Sequence, residues 1–517
     1  MMINSLKPYI SHSEFFSGNK HLYFLNVEVA QQKEIASFMK KNEGVLLTEW
    51  VSPNNKLNTI NWFTFYLLPT EGLYCIQSVL HKKFPRLLDL SQEYPVCYRL
   101  QRAIYELTRI STKNTKDKRF WLNHGYFPLG VLNQNSKLKL SPSSHYAFKK
   151  VTGEGVHEIP VGPVHAGIIE PGHFRFSVVG ERILKLEERL GYTHKGIHQL
   201  LRNKSIEEAA KLIGRVSGDS TVAYAYAFAK ACEQAKHYCV NENVMMERNI
   251  CLERERLCNH IGDIGAIIND AGLPSLQASF NCLKEQLLRY NAKYFGHRYL
   301  MDCIKPFTEK LLLITSHLQI MKLELIELEE NLLRLEEIVN QHLGLQDRIQ
   351  NTGIISMKLA KDLGLLGVVS KASGVDYDIR RLLPSTVYDT TFISSCNMTA
   401  GDVAARVAVR FKENFESIKL IQKLIETLCD TKDNIYKEQK FSSSNHEINM
   451  GIGVVEGWRG PISVIVSMDE NHLDWCHFHD PSWQNWLALE YAVMDNIVAD
   501  FPLINKSLNL SYSGHDS

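Results

Sequence analysis

Residues 215–220 read Arg215-Val216-Ser217-Gly218-Asp219-Ser220, and the sequence closes with Ser511-Tyr512-Ser513-Gly514-His515-Asp516-Ser517. Around the first stretch, residues 204–236 and 242–269 place apolar side chains at spacings of three and four, the signature of amphipathic helices. Segments 305–343 and 402–430 do the same. The stretch 312–343 (LLITSHLQIMKLELIELEENLLRLEEIVNQHL) is the longest, with Leu and Ile on one face and Glu on the other. It is expected to be a core helix of a bundle.

Upstream the texture changes. Residues 1–130 mix helical stretches with β-like runs such as Trp62-Phe63-Thr64-Phe65-Tyr66-Leu67-Leu68, and Ser111–Arg119 (STKNTKDKR) reads as an exposed loop. Residues 131–154 carry little periodicity, and Leu140-Ser141-Pro142-Ser143-Ser144 has linker composition. From about 155 the chain opens with strand-like runs, Gly167-Ile168-Ile169 and Phe174-Arg175-Phe176-Ser177-Val178-Val179, before the helices take over. The expected fold is α+β: a small α/β domain over 1–130, a linker over 131–154, and a mainly helical domain over 155–517 with a β-rich lead-in.

Glu253, Arg256, His260 and Asp263 follow one another at spacings of 3, 4 and 3, which puts all four on one helical face. Such a stripe is either a buried polar ladder or a proton path, and paired buried charges favour the ladder. Cys251 with Cys258, and Cys232 with Cys239, read as small core residues rather than ligands. Cys476-His477-Phe478-His479-Asp480 lacks zinc-like spacing and reads as a polar loop. Gly457-Trp458-Arg459-Gly460 is either a plain β-turn or a fixed cation that the flanking glycines bring close to a ligand.

Composition narrows the classes. Hydrophobic residues at 44% and charged residues at 22% are ordinary for a globular chain, and 517 residues suffice for two or three cores. Lys+Arg 58 against Asp+Glu 57 gives no general attraction to nucleic acid or anionic lipid. No signal peptide and no membrane-spanning run is seen, so membrane association is expected through partners. Eleven cysteines without a paired framework suit reduced thiols in the cytoplasm. No Gly-x-Gly-x-x-Gly or phosphate loop occurs, which argues against nucleotide binding.

Taken together, several motifs resemble the large subunit of membrane-bound nickel–iron hydrogenases of the hydrogenase-4 and formate hydrogenlyase type, and the homologous 49-kDa-type subunit of respiratory complex I. They are Gly153–Phe176, Leu190–Gly196, the helix ending Asp263–Ala266, Ala372–Arg380, Gly401-Asp402 with Arg406 and Arg410, and Glu456–Gly460. Tyr105-Glu106-Leu107 and Trp121–Pro128 are similar to the 30-kDa-type complex I subunit, which implies an N-terminal docking domain. Against the family's Arg-x-Cys-Gly-x-Cys and C-terminal Cys-x-x-Cys, Ser217, Ser220, Ser511 and Gly514 stand at the four thiolate positions. A neutral hydroxyl or a glycine cannot replace a soft thiolate, so no nickel–iron centre is expected and no metal ligand is assigned. The chain also ends where the family is trimmed after metal insertion, which agrees with an absence of maturation.

The complex I relative receives a quinone headgroup in the corresponding cavity. The resemblance implies His173 or His165 as hydrogen-bond donor to the acceptor, Asp263 as the proton partner behind it, Glu170 as a relay and Arg459 as a fixed cation. The family's tyrosine falls at Gly218, leaving Asp219, Tyr224 or Tyr226 to substitute. No tightly bound cofactor is expected in this chain. Electrons would come from an iron–sulfur cluster in a small-subunit partner, with antiporter-like membrane subunits completing a complex on the cytoplasmic side of the membrane. The alternative is a redox-inactive scaffold coupling those partners to an ion-translocating arm.

Overall fold

The computed structural model describes residue 6 and residues 9–17, 20–54, 59–81, 83–132, 146–165, 169–384, 393–431 and 450–517. The N-terminal part is a five-stranded sheet in the order β1 (Ile10–Ser17), β2 (Lys20–Asn26), β5 (Gly72–Leu80), β4 (Thr59–Leu68) and β3 (Val45–Asn54). Neighbours are antiparallel except β2 and β5. Helix α1 (Gln31–Lys41) and helix α2 (Cys97–Thr108) accompany it. The run 62–68 lies in β4 as expected and is buried throughout, so alternation could not have marked it.

Two three-stranded antiparallel sheets follow in the remainder of the chain. One comprises β6 (Val156–Val161), β7 (His173–Val179) and β8 (Arg182–Arg189), with β7 central. Between them in sequence and the second sheet run helices α3 (Ile206–Ile213), α4 (Thr221–Ala235), α5 (Glu242–Asp270), α6 (Pro274–Phe295), α7 (Thr315–Gln341), α8 (Gly367–Ala372) and α9 (Val403–Thr431). The second sheet is a meander of β9 (Met450–Gly457), β10 (Gly460–Asp469) and β11 (His472–His479). Helices α10 (Ser482–Ala492), α11 (Phe501–Leu508) and α12 (Tyr512–Asp516) end the chain. The fold is α+β, as expected.

Helix α4 is rich in alanine, and this composition has a steric purpose. A Cβ on Gly453 would strike the carbonyl of Ala227, and one on Gly451 the carbonyl of Ala231. Helix and strand therefore meet backbone to backbone, which only glycine on one side and small residues on the other permit.

Three expectations change. The periodic run 204–236 is two helices, because Ser217 to Ser220 form an extended residue and a 3-10 turn between them. The run 305–343 becomes helical only at Thr315, and α7 buries Leu318, Met321, Leu325, Leu328, Leu332 and Val339 while leaving Leu323 and Leu333 exposed. Ser111–Arg119 is no simple exposed loop, since Asp117 is buried against Arg119 and Tyr98.

The expected linker lies largely outside the described residues. Tyr146 and Lys149 of the part that is described reach Glu187 on β8. Residues from both parts, among them Trp62, Leu100, Trp121, Phe174, Trp486 and Tyr512, belong to one continuous apolar core. Among the described residues, no helix is long and apolar enough to cross a membrane.

Candidate functional site

The two serine-bearing motifs, nearly three hundred residues apart in sequence, meet in space. Ser217 and Ser511 are hydrogen-bonded through their hydroxyls at 2.9 Å. Ser217 also donates to Asp219 Oδ1 at 2.7 Å, and having one proton it must accept from Ser511. Ser511 caps α12 by accepting from the Gly514 amide at 2.8 Å, and its own amide donates to Ser482 Oγ at 3.0 Å. Ser220 lies 3.4 Å from Asp219 Oδ1. At Gly514 a Cβ would collide with Asp480 Oδ2. That carboxylate is fixed by the Tyr224 hydroxyl and the Ser482 amide, each at 2.8 Å.

At the centre of this frame stands an ion pair. Arg459 Nη1 and Nη2 donate to the two oxygens of Asp219 at 2.8 and 2.6 Å, a bidentate fork. The guanidinium lies 3.8 Å over the Trp458 ring and donates through Nε to the Asn509 carbonyl at 2.6 Å. Trp458 Nε1 and Asn259 Nδ2 both donate to the Asp219 carbonyl at 2.8 Å. Asn509 in turn donates to Asp263 Oδ1 at 2.6 Å, and Arg410 Nε holds Asp263 Oδ2 at 3.1 Å.

Burial alone would raise the Asp219 carboxyl, but Arg459 and the hydroxyls of Ser217 and Ser220 bring it down to about 2. Burial, followed by the Asp480 charge, pushes Tyr224 well above the usual phenol range, so it keeps the proton it donates to Asp480. Gly457–Gly460 is a turn between β9 and β10, and its Arg459 cation is held by Asp219.

A nickel–iron group does not fit these residues. The donors at its four positions are neutral hydroxyls or a glycine, the nearby carboxylate is already neutralised by a guanidinium, and the Asp480 carboxylate closes off Cβ space at the fourth position. Among the described residues, no group of three or more His, Cys, Asp or Glu could hold a metal ion. The cavity bordering Asp219, Gly218, Glu255 and Asn259 is about 10 Å³, at the lower limit for a water. It has an open side: the Asp219 side chain is 39% exposed, and a Cβ on Gly218 would meet nothing within 4 Å.

The remaining expected residues gather at a second place. His165 Nε2 bonds the Gly172 carbonyl at 2.7 Å, and Glu170 accepts from the Ser513 amide at 3.0 Å. His173 Nδ1 faces the Gly162 carbonyl at 3.3 Å, while Arg175 donates to its Nε2 at 3.4 Å, which fixes a neutral Nδ1–H tautomer. Burial lowers the His173 pKa and the Gly162 carbonyl only partly offsets it. The expected pairing of His173 with Asp263 is not made: Asp263 is already neutralised by Arg410 on α9. Tyr226 faces Arg248 instead of the site.

Two residues of this frame escaped the sequence reading. Asp480 ends a cluster read as a polar loop, yet His472–His479 is a strand in which His479 is buried and His477 half-buried. Asn509, the bridge from Arg459 to Asp263, carried no motif.

Comparison with known proteins follows the same lines. Residues 283–517 match the family described as respiratory-chain NADH dehydrogenase, 49 Kd subunit. Hydrogenase-4 component G of Escherichia coli (strain K12) is 30% identical over 379 residues, 72% of this chain and 64% of that protein, so the chain spans under two thirds of its length. Formate hydrogenlyase subunit 5 of the same organism is 24% identical over 95% of this chain and 88% of its own. Among solved structures, a chain of the membrane-bound sulfane sulfur reductase, an archaeal respiratory membrane complex, superposes with a TM-score of 0.62 at 20% identity. That match covers 71% of this chain and 100% of the other, and it shows the shared fold.

Proposed function

We propose, from a chain whose residues 283–517 form a complex I 49-kDa-type domain and whose relatives include hydrogenase-4 and formate hydrogenlyase subunits, a large subunit that works without nickel. It belongs to a membrane-associated respiratory complex, held at the cytoplasmic face by antiporter-like membrane subunits and docked to an iron–sulfur partner. Residues 1–130 serve as the docking domain. The observation that carries the reading is that Ser217, Ser220, Ser511 and Gly514 stand at the four positions where a metal would need thiolates, with the Asp219–Arg459 pair among them. In the purified complex, elemental analysis and infrared spectroscopy should find no stoichiometric nickel in this subunit and no carbonyl or cyanide bands; nickel near one per chain would overturn it.

Electrons from the iron–sulfur partner would leave to a quinone-like acceptor that enters at the open side by Gly218. Asp219 and Tyr224 would meet it from the frame, and Glu170 with His165 and His173 would carry protons from the second place. The second reading, a redox-inactive scaffold, is favoured by the 10 Å³ cavity, too small for a quinone ring without side-chain movement. Gly218→Trp puts an indole on the open side, where a side chain begins in free space. Lost quinone reduction in an intact complex would support the enzyme, and unchanged turnover would leave the scaffold.

A further inference from the structure

The seam between the N-terminal sheet and the rest of the chain holds a buried acidic pair that the site above does not use. Arg99 on α2 spans it. Its Nη1 bonds Glu188 Oε1 on β8, and its Nη2 lies 2.9 Å from Glu490 Oε1 on α10. The guanidinium is stacked 4.5 Å over Trp121, which fixes its direction. Glu188 is fully buried and its Oε2 has no hydrogen-bond partner. The Glu490 side chain is 27% exposed at the edge of a cavity of about 310 Å³. Two carboxyls from separate elements thus share one cation from a third.

We propose that Arg99, Glu188 and Glu490 form a proton-operated clasp: the seam is held while one of the two carboxyls keeps its proton and the other pairs with the guanidinium, and it loosens when that proton leaves through the cavity. With the proton in place the trio is neutral. Without it, two carboxylates face one guanidinium in a site too buried to screen the excess charge. Repulsion then drives out Glu490, the more exposed partner.

The other charged groups lining the cavity have partners of their own. On β8, Glu187 is engaged by Arg119 and Lys185. Asp117 is held by Arg119 and Tyr98, and Arg102 donates to the carbonyls of Arg119 and Phe120. Lys149 lies beside Tyr98, and its backbone amide bonds Glu187. From α12, burial holds Tyr512 protonated and His515 neutral. Tyr146 is likewise a neutral phenol.

The sign follows from the carboxyl. Burial raises Glu188 from 4.5 to about 8, Arg99 opposing and the Glu490 charge adding to the rise. The closed seam therefore keeps a proton that an opened seam releases, and opening becomes easier as pH rises from about 5 to about 8, then levels off.

Hydrogen–deuterium exchange of the full chain in its complex, corrected for intrinsic base catalysis, reads this at residues 97–108 and 182–189. Opening should rise by up to about tenfold per pH unit across that range. Glu490→Gln, at the more exposed position, should flatten the profile. Glu188→Gln is the second variant, should the first fail to assemble, with the same expectation. A wild-type seam with no pH dependence, or one whose dependence survives both substitutions, overturns the clasp. Neither result bears on whether the subunit reduces a quinone.

Discussion

Asp219 holds a guanidinium and two hydroxyls at once, so its ionisation is tied to the folded state. Its contribution is present above the ordinary value of 3.8 and is lost as pH falls through about 2. With the side chain 39% exposed, solvent screening limits the gain to about 1 kcal/mol. Thermal melts between pH 2 and 5 should therefore show Asp219→Asn below wild type at the upper end, the difference closing toward the lower. A constant gap would show that Asn disturbs packing rather than charge. His173 and Asp263 bond different partners, so Asp263→Asn and His173→Ala should have multiplicative effects on acceptor reduction, each within roughly ten- to a thousandfold. Saturation in the double variant, the mark of a single proton-donating unit, would contradict the geometry seen.

Among elements, α5 carries the most consequential side chains. Its polar stripe is a ladder, as the residue types suggested. Arg256 bonds Glu253 at 3.0 Å, Arg380 reaches Glu253 at 3.0 Å, and His260 meets Glu413 of α9 at 2.6 Å. Glu413 also holds Lys371 of α8 at 2.6 Å. Glu413→Ala would leave Lys371 and Arg256 short of countercharge in a dry bundle, at a cost of about 3–5 kcal/mol. Arg289→Ala, on an exposed pair with Glu285, should change stability by under about 0.5 kcal/mol. Denaturant titration of both variants tests the contrast, and equal losses would mean the ladder is not what ties α5, α8 and α9 together.

For the whole molecule, the legible parts were those with a period or a motif. Spacing marked α5 and α9, and the serines at 217, 220 and 511 foretold their own meeting because the frame around them kept its glycines, arginine and aspartates. What stayed hidden has physical reasons. The long buried runs of β4 and β10 lack alternation, and His477 and His479 look polar in sequence while packing as neutral rings in β11. The partner of Asp263 was misjudged because residue type does not reveal which cation reaches a carboxylate first. Arg410 lies on another helix, 147 residues away. The continuity of the core across the N-terminal seam was equally invisible, since no local pattern records which surfaces will touch.

The backbone contact between α4 and β9 has a consequence for timing. The helix begins just after the 217–220 turn, and the strand ends at Gly457, two residues before Arg459. With Gly451 and Gly453 pressed against the helix, the mounts of Asp219 and Arg459 belong to one stiff body. Parting the pair then requires no hinge. It is a rotation of the part-exposed Asp219 side chain away from a buried guanidinium, so breaking the bidentate bond, rather than moving a domain, sets its rate. A guest arriving at Gly218 would meet a gate whose opening asks nothing of a neighbouring subunit.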